Sequence, residues 1–79
     1  MLSNSILVED VLQTFNTSNY KYRTIFGISK ATNTKKKFVR KIVKLMTKSG
    51  LLYKSGYINQ YNRALYTVDK TATRYNKQF

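Results

Sequence analysis

Hydrophobic positions along the chain fall into three blocks spaced as helices and two spaced as strands. The clearest block follows Thr34. Placing successive residues about 100° apart, as an α-helix does, gathers Phe38, Val39, Ile42, Val43, Leu45, Met46 and Ser49 on one side. Lys36, Lys37, Arg40, Lys41, Lys44 and Lys48 share the opposite arc with only Thr47 among them. The pattern predicts a helix capped by Thr34 and ended by Gly50.

Upstream, Leu7, Val8, Val11, Leu12 and Phe15 recur at three-to-four spacing. This predicts a first helix over residues 3–15, with Ser3 or Ser5 as N-cap and Glu9 and Asp10 favourably placed near its positive end. The turn formers Asn16, Thr17, Ser18 and Asn19 mark a loop, and the alternation of Tyr20, Lys21, Tyr22 and Arg23 predicts a short strand. A second helix is expected from about 25 to 32, capped by Thr24 and carrying Ile25, Ile28 and Ala31. Gly27 inside it points to close packing there. Asn33 is suited to end it, because asparagine tolerates the left-handed conformation. Downstream, residues 51–54 predict a strand, the polar stretch 55–63 a long hairpin tip, and residues 64–68 the returning strand. Residues 69–79 read as a tail or short helix containing Lys70, Arg74 and Lys77. The fold class expected is α+β, mostly α: one domain over 1–79 with its core in 5–68.

Charge sharpens this picture. The 79 residues carry 15 Lys and Arg against 3 acids, a formal net charge of +12. Glu9, Asp10 and Asp69 lie outside the middle of the chain, so every charged residue from Lys21 to Lys54 is positive. Such a field favours nucleic acid, an anionic membrane surface or an acidic protein. Pairs such as Lys37/Lys41, Arg40/Lys44 and Lys44/Lys48 are like charges at i,i+4, each costing an isolated helix about 0.2–0.5 kcal/mol. A face built only for solubility has no reason to accept that repulsion, so a polyanion is the economical partner. No apolar run reaches the length of a membrane span, and the short run at residues 6–8 is followed at once by acids, so a cytoplasmic, nucleoid-associated protein is expected.

Catalytic chemistry has little to work with. The chain has no cysteine and no histidine, which removes disulfides, thiolate metal sites and the commonest metal ligand. Glu9 and Asp10 are adjacent and diverge by about 100° on a helix, so they form no facing carboxylate pair. The expectation is a protein that is not an enzyme, with no cofactor, metal or small-molecule substrate.

The order helix, short strand, helix, turn, basic helix, Gly-Leu-Leu, hairpin resembles the winged helix-turn-helix DNA-binding domains over residues 24–68. The segment Ile25-Phe26-Gly27-Ile28-Ser29-Lys30-Ala31-Thr32-Asn33-Thr34 resembles that family's first helix and turn. Phe38-Val39-Arg40-Lys41-Ile42-Val43-Lys44-Leu45-Met46 resembles its recognition helix, and Lys48-Ser49-Gly50-Leu51-Leu52 its junction into the wing. Asn33 stands where the family often has glycine and Thr34 where it has a small apolar residue, which leaves the turn's place open by a residue or two.

The resemblance implies a third helix that enters the major groove N-terminal part first, with Lys35, Lys36, Lys37, Arg40, Lys41 and Lys44 near DNA. Thr34 and Lys54 complete that set. Arginine's planar fork can grip guanine O6 and N7 together, so Arg40 is the expected base reader and the lysines the phosphate contacts. In the hairpin, Asn59, Gln60, Asn62 and Arg63 are expected at a backbone or minor groove, Arg63 foremost, since a narrow A·T-rich groove attracts arginine. An ordinary polar hairpin loop is the competing account of that stretch. Lys21, Arg23 and Lys30 are either flanking phosphate contacts or plain solvent-exposed cations, and Tyr53 and Tyr66 cover the hairpin's base.

The expected function is that of a small double-stranded-DNA-binding protein, a transcription regulator or DNA-coating factor, with a homodimer conceivable through Leu2, the first helix or residues 75–79. A lone domain of this size also fits a viral or plasmid-encoded modulator. The alternative is an interaction module whose positive face binds an acidic protein such as RNA polymerase or a nucleoid protein. RNA binding ranks third, because two short strands give little stacking platform.

Overall fold

The computed structural model describes residues 6–17 and 20–75. Three helices are followed by a two-stranded antiparallel hairpin and one 3-10 turn: α1 Val8–Asn16, α2 Ile25–Thr32, α3 Lys36–Lys48, β1 Tyr53–Ile58, β2 Ala64–Thr67 and the turn Lys70–Ala72. This is the α+β layout expected from the hydrophobic pattern.

Helix α1 starts later than its spacing predicts. Leu7 is extended (φ −101°, ψ 154°), and its N–H donates to the Asp10 carboxylate at 3.1 Å. Asp10 therefore caps the helix from inside, and the carboxylate also suits the positive helix end. Leu7 is left largely exposed rather than joining the apolar stripe. Ser3 and Ser5, the expected caps, lie outside the described residues.

Thr24 caps α2 as expected, its hydroxyl accepting from the Gly27 N–H at 3.0 Å. Asn33 ends it at φ 53°, ψ 46°. The turn then runs one residue longer than anticipated. Lys35, not Thr34, occupies the N-cap position of α3, and it makes no side-chain cap bond. Thr34 is 1% exposed. Its N–H donates to the Ser29 carbonyl at 3.0 Å, its hydroxyl donates to the Thr32 carbonyl at 3.1 Å, and its own carbonyl accepts from the Ser29 hydroxyl. A cap must turn its hydroxyl toward the helix start, and these bonds turn Thr34 inward instead.

Helix α3 buries Val39, Val43 and Met46, while Phe38 and Ile42 are half-buried. Leu45 is the exception to the predicted apolar side, at 60% exposure. The helical repeat carries it about 100° round from Met46, beside Lys41 one turn earlier. Gly50 at φ 78° ends the helix, with Gly50 N–H donating to the Thr47 carbonyl at 3.3 Å and Leu51 N–H to the Met46 carbonyl at 2.9 Å. This paired closure needs a left-handed residue, the conformation glycine adopts without cost. It aims Leu52 into the core, where it is fully buried.

In the hairpin, Tyr53 faces Thr67 and Lys54 faces Tyr66, but Ile58 faces Ala64. The register shift places three β1 residues opposite Leu65 alone, a bulge in which Gly56 takes φ 85°. The bulge lets β1 continue to Ile58, so the first four residues of the expected tip are strand and the loop is residues 59–63. On the outer side of β2 the expected strand at residues 20–23 shrinks to one bridge, with Arg23 and Tyr66 exchanging N–H···O bonds of 2.9 and 2.8 Å. On the outer side of β1 the Arg74 N–H donates to the Ser55 carbonyl at 2.6 Å.

The C-terminal stretch thus folds back on the sheet. Tyr22 donates its hydroxyl to the Ala72 carbonyl at 2.8 Å and meets Tyr57 edge-on, centroids 5.9 Å apart. Val11, Phe15, Ile28, Val39, Val43, Met46 and Leu52 form the core, with Ile6, Val8, Leu12, Ile25, Ile42 and Tyr66 packed around it. All three helices and the hairpin share it. Among the described residues, no helix is long and apolar enough to cross a membrane.

Candidate nucleic-acid interface

The geometry of the site follows from how α3 is held. Because Val39, Val43 and Met46 face the core, the helical repeat turns Lys36, Lys37, Arg40, Lys41, Lys44 and Lys48 to solvent, and all six are exposed. Lys35 adds a seventh exposed cation at the N-cap. The first turn of α3 carries no acid, although the helix dipole favours negative charge there. The positive end of the dipole and the lysines therefore reinforce one another, and an external anion would relieve both.

Two ammonium groups at this end are ordered by rings. Lys36 Nζ sits 5.3 Å from the centroid of Phe26, on which Lys30 Nζ also sits at 5.1 Å. Lys37 Nζ lies 5.1 Å from the Phe38 ring. Contacts of this kind are worth about 0.5–1 kcal/mol each at exposed sites. Phe26 is 52% exposed. The periodicity offered no sign of its part, since it falls outside the three-residue spacing of Ile25, Ile28 and Ala31; the trace it leaves is the Phe26-x-x-x-Lys30 pair at i,i+4.

In the hairpin loop, Gln60, Asn62 and Arg63 are exposed. Asn59 has a role inside the loop that its sequence position did not announce. Its carboxamide oxygen accepts from the Tyr61 N–H at 3.0 Å and the Arg63 N–H at 2.9 Å, and its backbone N–H donates to the Arg63 carbonyl at 3.0 Å. Asn62 closes the turn at φ 64°. Asn59 is thus the loop's internal acceptor, and Arg63 extends from a backbone anchored at both its N–H and its carbonyl. Tyr61, at 72% exposure, projects from the same loop. Lys54 is exposed on β1 opposite Tyr66.

Thr34 does not belong to the surface. At 1% exposure it offers no atom to a phosphate. Arg23 also turns inward, its Nε donating to the Thr14 carbonyl at 2.9 Å and Nη1 to the Gly27 carbonyl at 3.4 Å. It joins the end of α1 to α2, a cation placed where a helix C-terminus favours one. Lys21 and Lys30 are exposed.

The Asp69 carboxyl is held below its ordinary value by the Thr71 hydroxyl and then the Thr71 N–H. Its carboxylate accepts from both at 2.6 and 2.9 Å. Among the described residues, no three side chains of metal-ligating type come together. What the arrangement offers chemically is a row of exposed cations on α3, two of them seated on rings, and an exposed arginine on an anchored loop backbone. No protein family, curated protein or solved structure matches the chain.

Proposed function

We propose that this protein binds double-stranded DNA, with α3 lying in the major groove and the 59–63 loop on the backbone or minor groove. The observation that carries the reading is the exposed arc of six cations on α3, unbroken by any acid and set opposite the core-facing side. Arg40 near the middle of that arc is the base reader of this account, through guanine O6 and N7. Lys36, Lys37, Lys41 and Lys44 neutralise phosphates, and Arg63 enters the narrower groove. The preponderance of lysine over arginine assigns most of the binding energy to sequence-independent contacts, as suits a transcription regulator of modest specificity or a DNA-coating factor in the nucleoid.

The test is selection from a pool of random duplex DNA at two salt concentrations, followed by sequencing of the retained fraction. An enriched motif identifies a site-specific regulator, and a two-fold-related one identifies a homodimer. Salt-sensitive retention without enrichment identifies a coating protein. No retention at either salt contradicts the proposal and directs attention to an acidic protein as partner, which a nuclease-resistant pull-down then examines.

A further inference from the structure

Two lysines from different helices converge on one exposed ring. Phe26 in the first turn of α2 carries the Lys30 ammonium at 5.1 Å from its centroid and the Lys36 ammonium at 5.3 Å. Lys30 reaches the ring from one turn further along α2. Lys36 reaches it from the first turn of α3, across the tight turn that Ser29 and Thr34 hold together. Gathering two like charges at one ring is unfavourable in itself, and a half-exposed phenylalanine contributes little to the core. Both costs have a purpose if the cations act together on an anion.

From this geometry we infer that Phe26 is a positioning residue: it holds Lys30 and Lys36 as a paired clamp for DNA phosphate at the junction of α2 and α3. Lysine is a flexible point charge with four rotatable bonds, so an unrestrained pair must be ordered when the phosphate arrives. The ring does this ordering beforehand, which is how preorganisation raises affinity. Phe26 itself touches no phosphate in this account, and all of its effect passes through the two ammonium groups. The inference rests on the DNA-binding reading and deepens it by naming a contact on α2 that the cationic arc of α3 does not include.

A double-mutant cycle on duplex affinity isolates this coupling. Phe26→Leu in the otherwise intact chain is expected to weaken binding to a random duplex by roughly threefold to tenfold, while Phe26→Tyr, which keeps the ring, leaves it unchanged. Lys30→Ala with Lys36→Ala is expected to flatten the slope of log K against log salt by about 0.9 per phosphate released, up to about 1.8 for two. In that double-alanine background Phe26→Leu is expected to have no further effect. Equal losses from Phe26→Leu with and without the lysines overturn the inference, because the ring then acts by itself. A loss that Phe26→Tyr shares overturns it too. Thermal melting of each variant separates these outcomes from misfolding, and the half-exposed ring predicts near-native melting for Phe26→Leu. An intact chain that binds no duplex defeats the DNA-binding reading along with the clamp, whereas strong binding with uncoupled losses defeats the clamp alone.

Discussion

The turn between α2 and α3 and the loop of the hairpin both present cations, but they are held in opposite ways. The turn is fixed from within. Ser29 and Thr34 are buried and exchange hydrogen bonds in both directions, so each polar group depends on the other with no water to replace it. The loop is fixed from outside, by the Asn59 oxygen accepting two exposed N–H groups. Water can stand in for a lost acceptor there. A mutation in the turn therefore acts on stability, and one in the loop acts on how sharply Arg63 is aimed.

Substitutions can break this contrast. The largest effect is expected from Ser29→Ala, which leaves the Thr34 carbonyl without its buried donor and should cost about 1–3 kcal/mol, read as a lowered midpoint in chemical denaturation. A cost indistinguishable from zero would place the turn in the same class as the loop. Gly56→Ala comes next. At φ 85° a side chain is strained by about 1–2 kcal/mol, and its Cβ would stand 2.8 Å from Tyr75 Cε2. Tyr75 is largely exposed and can swing away, so the expected result is a moderate loss of stability with the Arg74 amide losing its protection from hydrogen exchange.

Asn59→Ala is expected to cost about 1 kcal/mol or less, since both N–H groups reach water, yet to weaken duplex binding severalfold through Arg63. If stability falls as far as in Ser29→Ala, the loop is not held as described. The smallest effect concerns pH. Asp69 is held below its ordinary value of 3.8 by Thr71, so its contribution to folding is complete above that value and fades as pH falls through the lowered one. In an acid titration the protection of the Thr71 amide, taken relative to its intrinsic exchange rate at each pH, should fall over that range while that of the α3 amides holds.

The same contrast explains how much was legible in the sequence. Helix α3 and its cationic arc could be read because one period sets both burial and charge: Val39, Val43 and Met46 inward, Arg40 and Lys44 outward. Gly50 and Asn33 were legible because the left-handed conformation suits few residue types. Thr34 was misread as a cap because threonine serves equally well as a cap and as a buried hydrogen-bonding residue, and only the partner Ser29 decides between them. The hairpin tip was overestimated because the bulge at Gly56 depends on what crosses β1 from the C-terminal stretch, which no local pattern records. The role of Asn59 as internal acceptor depends on where the Tyr61 and Arg63 amides point, which no local pattern records. Leu45 shows the edge of the helical pattern, where a residue about 100° from Met46 is placed among lysines.

In the proposed complex α3 carries the binding energy through phosphate neutralisation. The most direct measurement of this is the salt dependence of affinity for a mixed-sequence duplex, compared between the intact chain and the variant with Lys37→Ala, Lys41→Ala and Lys44→Ala. The account predicts a slope of log K against log salt near −5 to −7 for about six to eight phosphates, reduced in magnitude by about 2–3 in the variant. Affinity that barely changes with salt, or a slope the three substitutions leave untouched, would contradict it.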